Sequence, residues 1–359
     1  MAKKKRLSRK FIRFLYNAVV VISLLIMVIR GLLLLFSGVA DYGKREVIWN
    51  VVAYNENKSK LDDMSIDYSW SLEQAGSSYG VIIGDEYVDG EVAMDTYTYL
   101  TEIKAGYEND TYTDEPYIIP YLVNHPKGGI IVVCGGAYGH KTIDGDTGEG
   151  KVIAKELNKR GYCAFVMHYR SNPYEYPVPA LDLQRSVRYV KANSSRYGIK
   201  KDKVGIIGFS AGGNLVGIYI NQIMGRDFLP EDYEKDFVDE VDDSVMGAMM
   251  IYPALSFRDN VPMLFGLYDE GVIKDPVARE KLLDDSDLSM QFDSVDTPQF
   301  VAYGTEDSVV GWRETVKYIN EAGKKGASVH VCVVEGWNHG FSPSCYMDEM
   351  AIWLDELGD

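Results

Sequence analysis

The sequence predicts an α/β protein: a mostly parallel central sheet with helices on both faces, preceded by an N-terminal transmembrane helix. Three observations predict it. From residue 117 onward, short apolar and β-branched runs alternate with segments of helical period, the pattern of parallel strands joined by crossover helices. One of these runs turns into a helix through Gly208-Phe209-Ser210-Ala211-Gly212, a G-x-S-x-G pentapeptide in a strand–turn–helix setting. Residues 14–36 form a 23-residue, almost wholly apolar run behind a cluster of Lys and Arg.

Residues 1–40 read as one unit. They hold eight Lys or Arg and no acid. The apolar run, at about 1.5 Å per residue, spans a hydrocarbon core of roughly 30 Å, and Arg30 falls late enough in it to snorkel to the far interface. Basic flanks stay cytoplasmic, so the expectation is a single-pass signal-anchor with a cytoplasmic N-terminus and an extracellular body. The alternative is a cleaved signal peptide ending near Ala40, after Gly38-Val39-Ala40, which would leave a secreted protein; its apolar stretch is longer than the usual h-region. Residues 41–115 are polar and rich in Tyr and Asp, with a strand-like piece at 92–100. They read as a stalk, a cap over the active site, or the first strands of the sheet.

Residues 116–359 read as the catalytic domain. Strands are expected at 117–123, 129–134, 163–168, 204–207, 246–251, 299–303 and 329–334, each short and dominated by apolar residues. Helices are expected at 152–159, 180–193 and 314–324; Leu181, Val187 and Val190 form a 3.6-period stripe in the second. Residues 255–295 interrupt the alternation and read as an insertion that walls a pocket.

Composition narrows the function. The chain is 46% hydrophobic with a net charge of −16, and the 319 residues after position 40 carry 29 basic and 53 acidic side chains, a net −24. So acidic a body repels phosphate backbones, which argues against a nucleic-acid partner. Nine acids lie between Asp227 and Asp243 against the single Lys235. Without a D-x-D-x-D-G spacing they read as a solvated loop, not a cation site. Cys134, Cys163, Cys332 and Cys345 show no C-x-x-C spacing, so no metal site is expected. Oligomeric state is not legible.

The chemistry centres on Ser210. A strand turning sharply into a helix lifts the central side chain above the sheet, and glycines two before and two after relieve the crowding. A serine hydroxyl needs an adjacent base oriented by a carboxylate. Of five histidines, His339 follows the 329–334 strand in Gly336-Trp337-Asn338-His339-Gly340-Phe341, where open α/β sheets collect functional groups. His330 reads as strand packing, His125 as a turn residue, and His168 as a strand-end residue that lines a pocket or braces a loop. Asp307, in the loop after the 299–303 strand, is the candidate acid, with Glu306 its neighbouring competitor. The order Ser210, Asp307, His339 matches the α/β-hydrolase order.

An oxyanion needs backbone donors that no side chain obstructs. Cys134-Gly135-Gly136-Ala137-Tyr138-Gly139 directly follows a strand and offers either Gly135 and Gly136 or Gly136 and Ala137, with Ala211 supplying the remaining amide. The loop lacks G-x-G-x-x-G and G-K-[ST], which argues against a phosphate cradle. Tyr138, His140, Tyr169 and Arg170 are candidate substrate contacts.

With these residues assembled, 115–359 resemble the α/β-hydrolase fold. Within it they resemble the hormone-sensitive-lipase-like and acetyl-xylan-esterase-like (BD-FAE type) carboxylesterases. Cys134-Gly135-Gly136-Ala137-Tyr138, Tyr169-Arg170, Tyr176-Pro177-Val178-Pro179-Ala180-Leu181-Asp182, the Ser210 motif, Thr305-Glu306-Asp307 and Asn338-His339-Gly340-Phe341 carry the likeness. It implies nucleophile, acid and base roles for Ser210, Asp307 and His339, and an oxyanion hole from Gly135, Gly136 and Ala211. Cys134 and Ala137 depart from the H-G-G-G of the lipase-like branch, which moves the match toward enzymes that deacetylate plant polysaccharides or cleave small esters. The expectation is a membrane-held serine carboxylesterase acting on short acyl esters, among them acetyl groups on carbohydrate, with no cofactor. A serine peptidase of prolyl-oligopeptidase type, and an inactive membrane-anchored binding protein on the same fold, stay open as alternatives.

Overall fold

A computed structural model describes residues 44–49 and 115–358, apart from 139–140, 142, 144–147, 171–173, 230, 232, 259, 270–271 and 274. The apolar run 14–36, the strand-like piece at 92–100 and His140 lie outside the described residues. Among the described residues, no helix is long and apolar enough to cross a membrane.

Eight strands form one sheet. In chain order they are β1 (Glu46–Val47), β2 (Tyr117–Tyr121), β3 (Gly128–Val133), β4 (Tyr162–His168), β5 (Val204–Phe209), β6 (Ala248–Ile251), β7 (Gln299–Gly304) and β8 (Val329–Val334). Their spatial order is β1-β2-β4-β3-β5-β6-β7-β8. β2 runs antiparallel to β1 and β4, and the remaining neighbours are parallel. This is the α/β-hydrolase fold, and it places the C-terminal ends of β3, β5, β6, β7 and β8 along one edge.

The main helices are α1 (Lys151–Lys159), α2 (Val178–Ala192), α3 (Ala211–Ile218), α4 (Pro276–Ser286), α5 (Trp312–Lys324) and α6 (Met347–Gly358). The apolar runs of the central strands follow from burial on both faces, since successive residues point to opposite sides. In β3, Ile131 and Val133 join the core that holds Leu183 and Val187 of α2, Leu215 of α3 and Tyr318 of α5. Ile130 and Val132 join the opposite core with Leu157 of α1 and Trp353 and Leu354 of α6. Each such side chain contributes about 1.5–3 kcal/mol, which outweighs the modest helix propensity of several segments.

One sequence expectation needs correction. The acidic run 227–243 is not simply a solvated loop. Arg185 of α2 pairs with Asp236 at 2.6 Å and Asp239 at 2.8 Å, Lys191 pairs with Asp242 at 2.5 Å, and Asp239 and Asp243 are buried. A stripe of α2 brings cations to the acids, and buried charges persist only when paired. Within 41–115, read as a stalk and cap or as the first strands of the sheet, residues 44–49 add β1 to the sheet, and Trp49 Nε1 donates to Asp182 Oδ1 at 2.9 Å.

Candidate active site

The nucleophile turn is dictated by backbone sterics. Ser210 has φ +52° and ψ −118°, a conformation that costs a non-glycine residue roughly 1–3 kcal/mol and needs its surroundings to hold it. Ser210 N–H donates to Ile251 C=O at 3.0 Å, and its C=O accepts from Asn214 N–H at 3.0 Å and Ala254 N–H at 3.2 Å. A side-chain carbon at Gly208 would lie 2.1 Å from Gly212 O, and one at Gly212 would lie 2.3 Å from Val133 O. Only glycine lets β5, α3 and the end of β3 approach so closely.

The structure brings the three separated residues together. His339 Nε2 lies 3.0 Å from Ser210 Oγ, and His339 Nδ1 lies 2.8 Å from Asp307 Oδ2. The carboxylate can only accept, so Nδ1 carries the proton and Nε2 accepts from the serine hydroxyl. The other oxygen of Asp307 accepts from Val309 N–H and Val310 N–H, both at 3.0 Å, which fixes the carboxylate in its own turn. Ser210 and Asp307 are buried, while the His339 side chain keeps 18% of its surface exposed. Such a chain can take a proton from the serine as it attacks and return it to a leaving group.

The acid and base loops are laced to each other. Asn338 Oδ1 accepts from Ser308 N–H at 2.9 Å and from His339 N–H at 2.7 Å, Thr305 Oγ1 accepts from Gly336 N–H at 2.8 Å, and Glu306 N–H donates to Trp337 C=O at 3.0 Å. Glu306, the competing acid, thus contributes its backbone to the loop contact. His330, read as packing, stacks on Phe300 and lies 2.7 Å from Glu349. His168 is buried and stacks on Tyr117.

The oxyanion loop carries three successive positive φ values, +101° at Gly136, +51° at Ala137 and +61° at Tyr138. Neighbours hold it there. Tyr138 Oη donates to Asn214 Oδ1 at 2.6 Å, Tyr169 Oη donates to Cys134 C=O at 2.8 Å, and a side-chain carbon at Gly266 would meet Ala137 O at 2.5 Å. That last contact sets part of the 255–295 insertion directly against the loop. The Gly135 N–H donates to Glu149 Oε2 at 2.5 Å. The first amide of α3, Ala211, lacks an intrahelical acceptor by position.

Substrate contacts are expected at Tyr138, Tyr169 and Arg170. All three are buried, and their polar groups serve protein partners. Arg170 Nε and Nη2 grip Asp182 at 3.0 and 2.6 Å, a charge-assisted fork that braces the start of α2. Sequence reasoning missed Glu149, Asn214, Tyr252 and Asn338. Asn338 adjoins His339 and was findable on that ground. Tyr252 is visible only in the structure, where its ring meets the His339 imidazole edge-on at 4.8 Å.

The BD-FAE family model matches residues 119–235. The matched stretch holds the glycine-rich loop after β3 and the Ser210 turn, whereas Asp307 and His339 lie beyond it. An acetylxylan esterase from Xylanibacter ruminicola is 34% identical over 102 residues, 28% of this chain and 21% of that protein. A probable carboxylic ester hydrolase, LipM, from Mycobacterium tuberculosis is 28% identical over 197 residues, 52% of this chain and 43% of its own length. The chain therefore spans less than half the length of these curated relatives. The solved structure of an acetyl ester-xyloside bifunctional hydrolase from Caldicellulosiruptor lactoaceticus is 25% identical, with a TM-score of 0.57 over 68% of this chain and 89% of that one.

Proposed function

We propose that this protein is a serine carboxylesterase that cleaves short acyl esters, with acetyl groups on carbohydrate as its substrate class. The observation that carries the reading is the hydrogen-bonded chain from Asp307 through His339 to Ser210, at 2.8 and 3.0 Å, beside a glycine-rich loop. In this mechanism Ser210 Oγ attacks the ester carbonyl as His339 Nε2 takes its proton. The developing oxyanion lies against the amides of Gly136, Ala137 and Ala211. His339 then protonates the departing alcohol, and water, activated by the same imidazole, releases the acid from the acyl-serine. Asp307 holds the imidazole tautomer and balances its transient charge. The names of the xylan-directed relatives support a carbohydrate ester, as does the departure of Cys134 and Ala137 from H-G-G-G.

A fluorophosphonate probe and p-nitrophenyl acetate test the proposal together. The wild type should label and turn over, and Ser210→Ala should lose both, with a fall in turnover of about 10⁴-fold or more. Labelling that persists in Ser210→Ala would sink the assignment. Preference for aminoacyl-proline amides over esters would move it to a peptidase.

We also propose that residues 14–36 hold the body outside a cell membrane, on the strength of their length, apolarity and basic flank. Protease added to intact cells should then release the body. Protection equal to that of a cytoplasmic marker would reverse the orientation.

A further inference from the structure

Glu149 precedes α1, 14 residues after the glycine to whose amide it is bonded. Its Oε2 accepts the Gly135 N–H at 2.5 Å, and its Oε1 accepts the Tyr252 hydroxyl at 3.1 Å. A side-chain carbon built at Gly135 would lie 2.9 Å from Ser210 Cβ and 3.2 Å from Glu149 Oε2, so the carboxylate and the nucleophile flank the same glycine. The Tyr252 ring lies against both His339 and Phe341, at 4.8 and 5.0 Å. One carboxylate thus ties the oxyanion loop to the aromatic wall that supports the base.

We infer that Glu149 is the positioning residue of the oxyanion loop: it holds the Gly135 peptide turned away from the pocket so that the amides after it face Ser210 Oγ. The inference rests on the esterase reading above. Its physical basis is the coupling of neighbouring peptide planes. With the Gly135 N–H fixed on the Glu149 carboxyl oxygen, the chain reaches the positive φ run of Gly136, Ala137 and Tyr138 with its next amides set in direction. A carboxylate suits this task because it only accepts, and a charge-assisted N–H bond is shorter and roughly twice as strong as a neutral one. The Tyr252 hydroxyl stays a donor, since burial first and the Glu149 carboxylate second push its pKa well up.

Donors that engage only the oxyanion act on the transition state, so their misplacement lowers kcat and leaves KM in place. In the full-length chain with p-nitrophenyl acetate, Glu149→Ala should lower kcat about 10²-fold with KM within about twofold, the scale of one lost oxyanion donor. Glu149→Gln keeps an oxygen that accepts from Gly135 and should recover kcat to within about tenfold of wild type. Tyr252→Phe should show a smaller fall. Independently of activity, the Gly135 amide proton in protein labelled with ¹⁵N-glycine should lie far downfield in the wild type and in Glu149→Gln, and move upfield in Glu149→Ala. Unchanged kcat in Glu149→Ala, a loss confined to KM, or an unmoved Gly135 resonance overturns the inference. If Glu149→Ala does not fold, Glu149→Gln and Tyr252→Phe carry the test, and a Glu149→Gln whose kcat lies more than about tenfold below wild type, or a Tyr252→Phe with unchanged kcat, overturns it. A wild type inert toward both probe and ester instead overturns the esterase reading, and the Gly135 resonance still decides the Glu149 contact.

Discussion

The two halves of the candidate site are held by different physics. On the nucleophile side, the Ser210 turn and the end of β3 are fixed by backbone against backbone, with glycines at contacts no other residue could make. On the acid–base side, Asp307 and His339 sit on two loops 32 residues apart in sequence, held by polar side chains such as Asn338 and Thr305. The first half is stiff because its alternatives collide. The second is held by several modest hydrogen bonds, each worth about 1 kcal/mol, some of them on exposed residues. Steric exclusion tolerates no substitution, whereas a hydrogen-bonded lattice should degrade by degrees.

Two substitutions sharpen that contrast. Gly208→Ala should have the larger effect, because the new methyl would sit 2.1 Å from Gly212 O and 2.7 Å from Val216 Cγ2. A stability loss of about 3 kcal/mol or more, with no measurable ester turnover, is expected in chemical denaturation and kinetic assays. Near-wild-type stability would mean that the turn yields, and the contrast would collapse. Asn338→Ala should act more mildly. It removes the acceptor for Ser308 N–H and His339 N–H, and kcat/KM should fall about tenfold, near 1.4 kcal/mol, with stability changed by less than about 1 kcal/mol. A fall as large as that from Ser210→Ala would show the acid–base loops to be as intolerant as the nucleophile turn.

The same contrast explains what could be read in advance. The Ser210 turn, its strand and its helix are contiguous in sequence, and glycine spacing reports a steric need directly. β3, β4 and β7 come within a residue of their expected bounds, because a strand buried on both faces leaves an unbroken apolar run. β8, a half-exposed edge strand, matches its bounds through its alternation of valines with His330 and Cys332. α6 gave no sequence expectation, although Met347, Met350, Trp353 and Leu354 form its buried stripe. The pairing of Arg170 with Asp182 was not legible, because an arginine after a strand looks the same in sequence whether it meets a ligand or a buried carboxylate. The acids at 236 and 239 were misread because the face of α2 that meets a distant loop, and brings Arg185 to them, is set by packing.

By itself, the sequence determined the layered α/β architecture, the strand–turn–helix that presents Ser210 as the candidate nucleophile, and the short list from which the candidate acid and base were drawn. Each of these depends on local patterns: strand-length apolar runs, helical period, and glycines around a serine. Tertiary structure alone decided that Gly135 donates to Glu149, that Tyr252 lies against His339, and that Tyr138, Tyr169 and Arg170 face inward. Those outcomes depend on which peptide planes and side chains meet across the sheet edge, and a hydrogen bond between residues far apart in the chain leaves no periodic trace in sequence.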